Sequence, residues 1–153
     1  MKTKKIKNYL YTSVISALFD DRNPERQDLT KYFFEKLHQF DVYISDIVQT
    51  EINKIKSEEL KQRIKSFIKN YKILLLNDEI TQLAGEYIKN NVIPADYKEE
   101  CFHIAYATLN EIDYLLSWNF RHIVNLKTKQ IINTINLTLK YPELKIITPA
   151  ELL

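Results

Sequence analysis

Short apolar runs separated by stretches of helical periodicity organise the chain. Ile6 to Leu10 reads as a strand, and Thr12 or Ser13 is placed to cap a helix to about Phe19, stopped by Asp20-Asp21-Arg22-Asn23-Pro24. Glu25 to Gln39 sets Leu29, Tyr32, Phe33 and Leu37 at helical spacing, and Phe40 continues that pattern. Asp41 to Ser45 alternates like a strand; Ser45 or Asp46 then caps a helix carrying Ile47, Val48, Glu51, Ile52 and Ile55. Glu58 to Asn70 forms a charged amphipathic helix, Ile73 to Leu76 a strand, and Asp78 caps a helix to about Asn90. Beyond Pro94 the pattern gives a helix from Tyr97, a strand over Asp113 to Leu116, a helix over Ile131 to Leu139 and a strand over Lys145 to Ile147.

Short apolar strands alternating with helices pair in parallel through right-handed crossovers. The expected fold is therefore α/β, a three-layer sandwich around a central parallel sheet. With 153 residues and no internal repeat or linker, residues 1–153 read as one domain. Functional groups in such sheets gather at the carboxyl ends of the strands.

Composition narrows the chemistry. The single cysteine, Cys101, excludes an internal disulfide and a cysteine zinc cluster, and it fits a reducing, cytoplasmic setting. One glycine, Gly85, excludes Gly-rich phosphate loops. No run approaches the length of a membrane span, and the basic N-terminal Lys2, Lys4, Lys5 and Lys7 precede no signal-peptide apolar segment. A net charge of +2 tolerates a polyanionic partner without pointing to one.

Applied to strand ends, the pattern brings Tyr11, Thr12 and Ser13 together with Ser45, Asp46 and Glu51, with a helix carrying Glu99, Glu100 and His103, and with Ser117-Trp118-Asn119. Carboxylates with hydroxyls and amides suit Mg²⁺ or Mn²⁺, which favour oxygen ligands. Each of these residues also has a bland reading: His103 as a packed core histidine, Thr12 and Ser13 as helix caps, Cys101 as an inert buried thiol, Asp113 as a turn residue.

The segments "YLYTSVISALFDD", "VYISDIVQTEI", "ECFHIAYATLNEIDYLLSWNFRHIVN" and "LKIITPAELL" resemble the PIN-domain family, in particular the VapC-like ribonuclease toxins of toxin-antitoxin pairs, over essentially the whole chain. The resemblance implies a metal-dependent ribonuclease whose acids meet at the carboxyl edge of a parallel sheet. Its four acidic positions fall on Tyr11, Glu51, Glu100 and Asn119, with Glu51 and Glu100 as ligands of Mg²⁺ or Mn²⁺. Thr12, Ser13 and Arg121 would contact RNA or support the site. RNA, a cognate antitoxin and a second copy of the chain are the implied partners.

The departures carry as much information as the matches. Glu100 keeps the charge with a longer reach, Asn119 keeps an oxygen, and Tyr11 replaces the first acid with a phenol. Loss of one carboxylate from a site with few to spare weakens cation binding severely. Two readings follow: a ribonuclease impaired by Tyr11, or a non-catalytic module that binds RNA or protein. One base change separates an Asp codon from a Tyr codon, so an inactivating substitution would leave the same residue.

Overall fold

The computed structural model describes residues 4–153, so Lys2 of the basic N-terminal run lies outside the described residues. Five strands form one parallel sheet: β1 (Ile6–Leu10), β2 (Phe40–Ser45), β3 (Lys72–Leu74), β4 (Tyr114–Leu116) and β5 (Lys145–Ile147), in the spatial order β3-β2-β1-β4-β5. Seven α-helices flank it: α1 (Thr12–Leu18), α2 (Pro24–Glu35), α3 (Asp46–Asn53), α4 (Glu58–Ile68), α5 (Asp78–Lys89), α6 (Lys98–Leu109) and α7 (Leu126–Thr138). The expected α/β sandwich with a parallel sheet is the observed fold.

The chain leaves β1 towards β2 and β3 on one side, then returns to β4 and β5 on the other. The sheet therefore has its switch point between β1 and β4, whose carboxyl ends open a crevice. There the Tyr11 N–H donates to the Leu116 carbonyl at 3.0 Å, carrying the pairing one residue beyond β1. Tyr9, Leu10, Val14, Ile15, Ile44, Ile104, Leu115 and Leu116 lie wholly buried within one contiguous apolar cluster.

Several boundaries differ from the sequence pattern. Thr12 and Ser13 do not cap α1: the capping position is Tyr11, which offers no side-chain cap bond, and both residues lie inside the first turn. The Ser13 hydroxyl is thereby released for contacts with the loop after β4. Asn77, not Asp78, caps α5 by accepting the Ile80 N–H at 2.9 Å. Helix α7 starts at Leu126, five residues before Ile131, because Asn125 accepts the Thr128 N–H at 2.8 Å. Ser45 caps α3 as expected, through the Val48 N–H.

Candidate active site

Tyr11 stands at the exit of β1, 8% exposed, with its ring centroid 4.4 Å from that of His103 in α6. Strand alternation places Tyr9 on the same face, two residues earlier. Tyr9 is fully buried, and its hydroxyl lies 2.7 Å from Ser45 Oγ and 2.6 Å from His103 Nδ1. His103 Nε2 lies 2.5 Å from Oε1 of Glu51, in the last turn of α3. Ser45 Oγ also accepts the Val48 N–H, and Nε2 donates to the carboxylate, so one continuous line of hydrogen bonds runs from Ser45 through Tyr9 and His103 to Glu51. This line orients Glu51 from the sheet.

The second carboxylate is anchored from the other side. Glu100 lies in the first turn of α6, 8% exposed, and its Oε1 accepts the Asn119 side-chain N–H at 2.9 Å. Asn119 Oδ1 in turn accepts the His122 N–H at 3.0 Å. Glu100 Oε2 is buried and lies 2.9 Å from His122 Nδ1, at ion-pair distance but outside hydrogen-bond alignment. Each acid is therefore matched with an imidazole: Glu51 with His103, and Glu100 with His122.

The electrostatics follow from that arrangement. Burial raises the Glu51 carboxyl, but the His103 hydrogen bond and charge outweigh it, leaving Glu51 below the usual glutamate value. Tyr11 moves the opposite way. Burial raises its phenol well above the ordinary value, and the charges of Glu100 and then Glu51 raise it further, so it stays neutral at any physiological pH. Tyr9 is likewise pushed well up, first by burial.

The other expected residues divide into two groups. Ser13 Oγ accepts the Trp118 N–H at 2.9 Å and lies 3.4 Å from Ser117 Oγ, so it ties α1 to the loop after β4. The Thr12 hydroxyl is buried without a hydrogen-bond partner. Arg121 is exposed, and its guanidinium forms no hydrogen bond or ion pair among the described residues. Cys101 is buried and its thiol is pushed up to about 12, in keeping with an inert thiol. Asp113 accepts the Lys7 N–H at 2.8 Å and so extends β4 beside β1.

Among the described residues no three His, Cys, Asp or Glu side chains converge as a cation site. Glu51 and Glu100 are each engaged by neighbours, and the position expected to supply a third carboxylate presents a neutral phenol. The donor set does not fit a resident divalent cation. Sequence reasoning missed two participants, Tyr9 and His122. Tyr9 was legible from the two-residue strand period, and His122 from its place three residues after Asn119 in the same turn.

With this geometry in place, the backbone can be compared with known structures. One chain of the toxin-antitoxin complex from Klebsiella pneumoniae superposes with a TM-score of 0.62 at 15% identity, covering 93% of this chain and 97% of that one. The fold is VapC-like. VapBC-1 from nontypeable Haemophilus influenzae gives 0.61 at 17% identity over 94% and 98% of the two chains. VapBC2 from Rickettsia felis, bound to a DNA fragment from its promoter, gives 0.57 at 15% identity over 92% and 97%. No family profile and no curated protein matches the sequence.

Proposed function

We propose that this VapC-like chain is a PIN-domain toxin of a toxin-antitoxin pair whose metal-dependent cleavage of RNA is disabled by Tyr11. The observation that carries the reading is the phenol of Tyr11 lying against His103 at the β1 exit, beside Glu51 and Glu100. An acid there would complete a three-carboxylate pocket for Mg²⁺ or Mn²⁺. A neutral ring leaves two carboxylates already held by histidine and amide groups. The partners in this reading are RNA, a cognate antitoxin and a second copy of the chain.

The test is RNA cleavage with Mn²⁺ by three proteins: the chain as it stands, Tyr11→Asp, and Tyr11→Asp with Glu100→Gln. Activity confined to the second protein supports the reading. Cleavage by the unaltered chain, or none by Tyr11→Asp although it folds, overturns it. The competing reading, a non-catalytic binding module, is favoured by the same neutralised site and predicts that Tyr11→Asp gains nothing.

A further inference from the structure

Beside the acids, a cavity of about 370 Å³ opens between α1, the start of α2 and the loop after β4. Tyr11, Ser13 and Asn119 line it on the side of the site, and Arg26 and Trp118 complete the lining used here. The Arg26 guanidinium lies 5.2 Å from the Trp118 ring centroid and 5.9 Å from that of Phe120. Trp118 is itself fixed: its Nε1–H donates to the buried Thr30 hydroxyl at 3.0 Å and its N–H donates to Ser13.

Asp20 also lines this cavity and feels the Arg26 charge, but its carboxylate is paired elsewhere. Asp20 is held by Arg22 through Nε at 2.9 Å and Nη2 at 3.0 Å, while Arg26 forms no ion pair among the described residues. Aromatic rings position the guanidinium, so its forked donors stay available to an anion. Phe120, half exposed, lies beside the guanidinium at the edge of the cavity, outside its lining residues. A fixed, unpaired guanidinium next to an exposed ring matches a phosphate followed by a base, the repeating unit of a single strand.

We propose that this cavity and its edge bind one nucleotide of single-stranded RNA, with the phosphate on Arg26 in the cavity and the base against Phe120 at its edge. The inference rests on the RNA reading of the adjacent acids but not on cleavage, since Arg26 and Phe120 take no part in the acid cluster. It gives the chain a means of holding RNA in the form with Tyr11.

The experiment measures anisotropy of a labelled short single-stranded RNA with the full chain, with Arg26→Ala, with Arg26→Lys and with Phe120→Ala, across a salt series. Phe120→Ala is expected to weaken binding about tenfold, the loss of one stacked base. Arg26→Ala is expected to lower the slope of log affinity against log salt by roughly 0.7, the release of one single-strand phosphate. Arg26→Lys should keep that slope, which separates charge from packing, and thermal melting should show all variants folded. A nucleoside monophosphate should compete and inorganic phosphate alone should not. Equal affinity in Phe120→Ala, an unchanged slope in Arg26→Ala, equal competition by inorganic phosphate, or no RNA binding by the unaltered chain overturns the proposal. Recovery of cleavage by Tyr11→Asp while Phe120→Ala binds RNA normally would sink this inference and leave the nuclease reading standing.

Discussion

The ring of Tyr11 packs against that of His103 at 4.4 Å between centroids, and His103 holds Glu51 at 2.5 Å. Tyr11, where the family resemblance expects the first acid, is thus built into the same cluster that orients Glu51. Substitutions here are expected to change stability and, in the proposed reading, the response to Mn²⁺.

Tyr11→Asp exchanges a buried ring for a carboxylate near two others. The variant should lose about 3 kcal/mol of stability without metal, from lost packing and like-charge repulsion. Mn²⁺ should return part of that by binding the folded state only. Thermal melting with and without Mn²⁺ checks both signs; the unaltered chain should show no shift.

His103→Ala leaves the Tyr9 hydroxyl and the Glu51 carboxylate without their shared partner. Chemical denaturation should register a loss of about 3 kcal/mol. Tyr9→Phe removes the same link from its other end at a cost of about 1 to 2 kcal/mol. The double variant should cost less than the sum, because both act on one chain of hydrogen bonds.

Acid should destabilise the fold through Glu51. Its carboxyl is depressed in the folded protein, so this contribution is present above the unfolded value of about 4.3 and is lost as pH falls through the lower folded value. In Glu51→Gln the stability against pH should be flatter below about pH 4. A steeper acid limb in the variant would contradict the His103 pairing.

Alkali should act through the buried phenols. Tyr9 and Tyr11 are raised when folded, so their contribution is complete below about pH 10 and falls as the unfolded tyrosines ionise above it. Tyr11→Phe should lessen that decline, measured by denaturant midpoints at pH 9 to 11.

Cys101 should resist a thiol reagent in the native state. Its sulfur is buried and its thiol is pushed up to about 12, so a fast-labelling native thiol would show that α6 opens readily.

The alternation of apolar runs determined the parallel α/β sheet, because buried parallel strands need continuous apolar segments and helices to cover both faces. β5 coincides with Lys145–Ile147, and β1 with Ile6–Leu10. Boundaries moved where an asparagine captured a free N–H: Asn77 in place of Asp78 at α5, and Asn125 ahead of the expected start of α7. Sequence also singled out Tyr11, Glu51, Glu100 and Asn119 as neighbours, and strand crossover accounts for their convergence. Only the tertiary structure decided how each charge is met, since His103 reaches Glu51 across 52 positions and Arg26 reaches Trp118 between two separate elements. Local pattern fixes which face a side chain occupies; partner choice depends on distances that exist only after the sheet has closed its crevice.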